Sequence, residues 1–228
     1  MHQPNPPEST SPALATESSA WPIILASASP RRRDLLRQVG LTCTVQIPDV
    51  DESVSEPLSP EALVQELAAR KATTIGDRPH HRNALVIGCD TLVFLNGRPL
   101  GKPVDRAESR NYLRALSGQT HEVISGLCLY QAASARLEVA HSRTRVTMRA
   151  FGDDEIEDYL DTGESADKAG GYAIQGFGAF LIETIHGDYS NVVGLPLPLL
   201  YELLTRFGIR PLRRARDGIA GQQHQQQQ

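Results

Sequence analysis

The sequence predicts an α/β fold built on a mixed sheet, and three features carry that prediction. Short apolar runs of strand length alternate with helix-length segments that begin at capping residues and stop at glycines. Two long extended stretches, 122–130 and 137–149, follow one another as a hairpin, which makes the sheet mixed rather than purely parallel. At 228 residues, 40% hydrophobic and 22% charged, the chain has room for one domain or two small lobes sharing a core.

Each element has its own signal. Ile23–Ala26 is a short apolar run and reads as a buried strand. Ser29-Pro30 supplies an N-cap and a first-turn proline, and the helix runs on through Arg31–Val39 to Gly40. Leu41, Cys43, Val45 and Ile47 alternate with polar neighbours, the period of a half-buried strand. A polar, acidic loop spans Asp49 to Leu58. Ser59-Pro60 repeats the cap and opens a helix with Leu63, Leu67 and Ala68 on one face. Ala84–Cys89 reads as a buried strand ending at Asp90, and Leu92–Leu95 as an extended piece stopped by the tight-turn pair Asn96-Gly97. Asp105 caps a helix carrying Tyr112, Leu113 and Leu116, which stops at Gly118. After the hairpin come a short helix, Asp153–Asp161, with acidic residues at its positive end, a strand at Ala179–Ile185, and a last helix, Pro196–Phe207, closed by Gly208. The order of strands in the sheet is not readable from these signals.

The two ends differ from the body. Residues 1–21 are rich in Pro, Ser, Thr and Glu without an apolar period, and read as a disordered leader. Residues 210–228 hold four arginines and a Gln-rich tract, and read as a disordered tail. The folded domain is therefore expected over 22–209, which carries a net charge of −5. An acidic body argues against a nucleic-acid binder, because phosphate neutralisation supplies most of such affinity. No run approaches the 18 apolar residues of a membrane span, and the first 20 residues hold no Lys or Arg and no apolar core. Cys43, Cys89 and Cys128 are odd in number and widely spaced, which fits reduced thiols in the cytoplasm better than disulfides or a zinc site.

Chemistry is expected at a few places. Ser27-Ala28-Ser29-Pro30-Arg31-Arg32-Arg33 joins a buried strand to a helix start, where free amides and the positive dipole end favour an anion. The three guanidiniums there suit a polyphosphate. The plainer alternative, surface arginines on a solvated helix start, sets cations against the dipole. Asp90, followed by Thr91 as a hydrogen-bond donor, stands at a strand end, ready to hold Mg²⁺, orient a water, or simply begin a turn. Only three of 23 basic residues are lysines, Lys71, Lys102 and Lys168, so each is a candidate for a site needing a compact ammonium, although Lys71, late in the second helix, could equally lie on a solvated face. In the acidic loop, Asp51 or Glu52 could join Asp90 in an oxygen-rich metal site, or the loop is plainly exposed, the reading that suits Asp49. The glycine-rich stretch 170–178 would let the backbone approach a base, with the Gln175 amide reading its edge; glycines also mark plain turns.

Read as an ordered set, these segments resemble the Maf family of nucleoside triphosphate pyrophosphatases. The matching pieces are Leu25-Ala26-Ser27-Ala28-Ser29-Pro30-Arg31-Arg32, Val50-Asp51-Glu52, Ala69-Arg70-Lys71-Ala72, Gly88-Cys89-Asp90-Thr91 and Gly101-Lys102-Pro103. They continue with Leu116-Ser117-Gly118-Gln119-Thr120-His121, Asp167-Lys168-Ala169-Gly170, Ile174-Gln175-Gly176 and Val193-Gly194-Leu195-Pro196, across roughly 23–207. The resemblance implies an elongated mixed sheet with flanking helices and two lobes around a nucleotide cleft. It also implies hydrolysis of a nucleoside triphosphate to monophosphate and pyrophosphate. Asp90 falls at the family's proton acceptor. Arg31, Thr91 and Gln175 fall at its selectivity positions, in a combination similar to the branch acting on dTTP and UTP rather than on 7-methyl-GTP. Placed on that frame, Ser27, Arg31, Arg32, Thr91, Lys168 and Gln175 bind substrate. Arg32, Lys71 and Lys102 meet the phosphates, and Mg²⁺ or Mn²⁺ bridges Asp90, Glu52 and phosphate oxygens. Family likeness suggests a homodimer. Cys89 stands where Ala or Ser is more usual, which implies an oxidation-sensitive strand end. A non-enzymatic regulator of cell division and a nucleic-acid module using the arginine runs are the competing readings.

Overall fold

Strand β3, Leu85–Leu95, is the spine of the computed structural model, which describes residues 21–54 and 57–212. It runs parallel to β1, Ile23–Ala26, which in turn pairs in parallel with β2, Thr44–Gln46. On its other side it is antiparallel to β5, Thr120–Gln131, followed by β6, Arg136–Met148, and β7, Ile182–His186. Short β4, Arg98–Leu100, folds back on the end of β3. The result is a seven-stranded mixed sheet of order β2-β1-β3-β5-β6-β7, with β4 off that path.

Helices cover both faces for reasons visible in the side chains. On one face lies α2, Pro60–Gly76, whose start is capped by the Ser59 hydroxyl accepting from Ala62 N–H. Its buried side includes Val64, Ala68 and Ala72, which pack on Ile24, Ala26, Val86, Phe94 and Ile124. The helix backbone comes close because Gly88 and Gly126 present no Cβ: one at Gly88 would strike the Ala68 carbonyl, and one at Gly126 the Val64 carbonyl.

The opposite face is divided between two clusters. Helices α1, Pro30–Gln38, and α6, Leu197–Arg206, cover Leu25, Leu85, Ile87, Cys89, Leu127 and Leu129. Helices α3, Arg106–Leu116, and α4, Asp153–Asp161, cover Val93, Val123, Val146 and Met148. Along β3, side chains alternate faces, so Cys89, Thr91 and Val93 point the same way. Cys89 belongs to the first cluster and Val93 to the second; Thr91, between them, belongs to neither. The boundary between the two clusters falls at Thr91, which lines the cleft.

Several expectations need correction. Residues 85–95 form one strand rather than two pieces, so Asp90 is mid-strand. It is β1 that stops, at Ala26 opposite Gly88, while pairing with β5 carries β3 onward through Asp90. Strand β2 is an exposed edge of three residues rather than half-buried over seven, leaving Ile47 66% exposed. Residues 176–181 wind as a 3₁₀ turn because the Glu164 carboxylate accepts from Phe177 and Gly178 N–H, so β7 starts only at Ile182. A short helix, α5, Tyr189–Val193, was not expected from the sequence. In α2 it is Val64, not Leu63, that is buried. The expected leader and tail lie outside the described residues except for Trp21 and 210–212; Trp21 packs edge-on against Phe207. Among the described residues no helix is long and apolar enough to cross a membrane.

Candidate active site

The cleft is a cavity of about 580 Å³, and ten of the residues singled out by sequence line it: Ser27, Arg31, Arg32, Glu52, Lys71, Asp90, Thr91, Lys102, Lys168 and Gln175. Arg33 and Asp51 do not. Asp51 is turned to Ser53, whose N–H and hydroxyl both donate to it.

One end holds an ion cluster in which Asp90 and Lys71 are buried and Glu52 is exposed. Because β1 ends short, the Asp90 side chain reaches the cavity on the α2 side of the sheet, where Lys71 meets it. Lys71 Nζ lies 2.5 Å from Asp90 Oδ1 and 2.7 Å from Glu52 Oε1. Asp90 and Lys71 are only 7% and 9% exposed. The second oxygen, Asp90 Oδ2, is buried without a hydrogen-bond partner. Burial pulls the Glu52 carboxyl upward, but the Lys71 hydrogen bond and charge, with Lys102 and Arg32 behind, outweigh it and hold the group below its ordinary value.

At the start of α1, the helix cap is unusual. Ser29 is the N-cap but gives no side-chain bond to the helix. Instead its own N–H donates to Ser27 Oγ. The first-turn amides therefore stay uncapped beside the cavity, as an anion site requires. Arg32 is held in a fixed plane: Nε donates to the Gly194 carbonyl at 2.8 Å, Nη1 to Ser27 Oγ at 3.0 Å, and Nη2 to Thr91 Oγ1 at 3.1 Å. Arg31 differs, with a buried Nε that has no partner. Burial draws its guanidinium below the ordinary value, against the opposing pull of Asp167. Thr91 departs from expectation, since its hydroxyl is engaged by Arg32, Ser125 and Gly194 rather than free to donate to a ligand.

The far wall is the segment Asp167–Gln175. Lys168 pairs with Asp167. Gly170, at φ +72°, sits against Val93 and donates its N–H to the Gly101 carbonyl beside Lys102, so the Lys102 and Lys168 loops are tied together. Tyr172 is anchored by its hydroxyl on His121 Nε2 at 2.6 Å, and Ala173 N–H donates to the Tyr159 hydroxyl. Residues 22–207 match the family of Maf-like proteins. The chain belongs to the Maf family.

Relatives agree along nearly their whole length. A dTTP/UTP pyrophosphatase of Pelotomaculum thermopropionicum is 48% identical over 190 residues, 83% of this chain and 98% of the relative. The proteins of that name from Moorella thermoacetica and Clostridioides difficile are 50% and 41% identical, over 82% and 81% of this chain and 95% and 94% of their own lengths.

Sequence reasoning missed the Gly194 carbonyl, Ser125, Asp167 and Tyr172. Asp167 and Gly194 stand inside segments that resemble Maf proteins; nothing local marks Ser125. One implied property is overturned: Cys89 lies within β3 rather than at a strand end, it is fully buried, and burial raises its thiol pKa, so it is not a reactive position.

Proposed function

We propose that this Maf protein hydrolyses dTTP and UTP to the monophosphate and pyrophosphate. The observation that carries the reading is the buried Asp90, ion-paired through one oxygen and unpartnered at the other, in the cavity that also holds Arg31, Arg32, Lys102 and Lys168. The relatives' shared name supplies the substrates.

A triphosphate brings close to four negative charges, and the cavity answers with guanidinium and ammonium groups whose bonds are set before the ligand arrives. Arg32, pre-set by its three bonds, has two of five N–H groups left for phosphate oxygens. Lys102 and Lys168 approach the phosphate chain from the opposite loops, and Ser27 with the uncapped amides of α1 completes the cradle. Lys71 fixes Asp90 through Oδ1, which leaves Oδ2 to take the proton of the water attacking in line. Arg31, Thr91 and Gln175 border the base, with the Gln175 amide reading its edge.

A divalent ion, Mg²⁺ or Mn²⁺, fits the donor set. Asp90 Oδ2 is buried and lacks a partner, and its two lone pairs could serve the ion as well as the water; Glu52 lies across the same ammonium. Among the described residues no cluster of three or more His, Cys, Asp or Glu could hold a metal, so phosphate oxygens and water would complete the shell. Bound there by Asp90 and Glu52, the ion would neutralise phosphate charge and polarise the phosphoryl group. The free thiols, two of them buried, support a reducing compartment such as the cytoplasm. The acidic body supports a small-molecule substrate rather than nucleic acid, and family likeness supports a homodimer, which light scattering in solution checks.

Pyrophosphate release across a panel of canonical and modified triphosphates, 7-methyl-GTP included, tests the reading. UTP and dTTP should lead the panel. A preference for 7-methyl-GTP, or no release from any member, would refute it; the latter would favour a regulator acting through protein contacts.

A further inference from the structure

We propose that Ser125, which does not line the cavity, is a positioning residue for the nucleotide: it acts through the Thr91 hydroxyl on the Arg32 guanidinium. The inference rests on the reading of the cavity as a nucleotide site. Ser125 is fully buried on β5, directly opposite Thr91 in the β3–β5 register, with their hydroxyl oxygens 2.8 Å apart.

The direction of these bonds follows from counting protons. Thr91 Oγ1 has one hydrogen and two lone pairs. Arg32 Nη2 can only donate to it, and the Gly194 carbonyl can only accept from it. Thr91 therefore fills its capacity if Ser125 also donates: two bonds in from Arg32 and Ser125, one out to Gly194. The reverse choice, Thr91 donating to Ser125, forfeits the bond to Gly194. It also strands the Ser125 proton, for which no other acceptor is found among the described residues. The satisfied arrangement is a directed chain, Ser125 to Thr91 to Gly194, with Arg32 entering at Thr91.

Two consequences follow. The chain fixes the Thr91 rotamer, and with it the Nη2 corner of a guanidinium whose other corners rest on Gly194 and Ser27. Thr91 also has no proton to offer a ligand, so it borders the nucleotide as a methyl-bearing wall.

The test is a double-mutant cycle on the steady-state kinetics of UTP hydrolysis, with Ser125→Ala and Thr91→Val made singly and together. Ser125→Ala should raise KM by about 3- to 10-fold while kcat stays within about twofold, the scale of one hydrogen bond. In the Thr91→Val background the same change should be silent. Ser125→Thr, which restores the hydroxyl, should return KM to near the wild-type value. Thermal melts of each variant separate these effects from loss of fold. An unchanged KM in Ser125→Ala, or an equal cost in both backgrounds, would overturn the proposal while leaving the nucleotide site intact. A wild-type protein that releases no pyrophosphate from UTP would remove the nucleotide reading itself, before any variant is made.

Discussion

Lys71 Nζ bridges Asp90 Oδ1 at 2.5 Å and Glu52 Oε1 at 2.7 Å, so one ammonium ties helix α2 to strand β3 and to the acidic loop. Two carboxylates would otherwise face each other at the cavity, one of them buried. Removing one member of a buried pair leaves an uncompensated charge. Lys71→Met should therefore lower the free energy of unfolding by about 3 kcal/mol. Adding Asp90→Asn should recover much of that loss. Urea titrations of both variants in the presence of a chelator check this; equal stability of the two would contradict a coupled pair.

Lys102 has a different status. Among the described residues it makes no ion pair within 4 Å, although its charge reaches Glu52. Its ammonium is available to a ligand. Lys102→Ala should raise KM for the metal–nucleotide by about 10- to 100-fold, the worth of one charge-assisted hydrogen bond, and leave the melting temperature near that of the wild type. Steady-state kinetics with UTP decide it, and an unchanged KM and rate would remove Lys102 from the phosphate site.

The approach of α2 to the sheet has no slack at Gly126. A methyl group there would collide with the Val64 backbone carbonyl, which no rotamer change relieves. Gly126→Ala should cost at least ~2 kcal/mol, as overpacking against rigid backbone does, and reduce turnover as well, because the helix that must shift carries Lys71. Thermal melts and rates measured together test this. Full activity with a lowered melting point would show that Lys71 does not depend on that seating.

His121 gives the fold a pH dependence. Burial lowers its pKa to about 4, from an ordinary value of 6.5. Between those values the unfolded chain takes up a proton that the folded chain refuses, so stability rises with pH across the window. The contribution is fully present above pH 6.5 and is lost as pH falls toward 4, by at most ~3 kcal/mol. Urea midpoints at pH 7, 5.5 and 4.5 should fall in step for the wild type and more shallowly for His121→Phe. Parallel curves would contradict a neutral, buried ring.

How much was legible in the chain depends on whether its cause was local. The Ser59 and Asp105 caps, the Asn96-Gly97 turn and helix Asp153–Asp161 came through because neighbours a few residues apart create them. The end of β3 did not. Whether Asp90 closes a strand depends on where β1 stops and whether β5 continues, and neither is written near residue 90. Val45 and Ile47 alternate like a half-buried strand, yet Val45 stands on an edge with a single partner and Ile47 lies beyond the strand's end, and both are exposed. In the site, the three lysines that stand out by their scarcity all line the cavity, but composition gave no sign that Lys71 would meet Asp90 and Glu52. The Gly194 carbonyl that orients Arg32 lies 162 residues away, and a backbone acceptor leaves no mark in composition or period.

The most direct measurement places the wild type and Asp90→Asn side by side, with UTP binding followed by calorimetry and pyrophosphate release followed over time. Nucleotide affinity should stay close to wild type while release falls by about 100-fold or more, the scale of a lost general base. The melting temperature should fall far less than in Lys71→Met, because Glu52 still pairs the Lys71 ammonium. Release at the wild-type rate from the Asn variant would contradict the role given to that carboxylate.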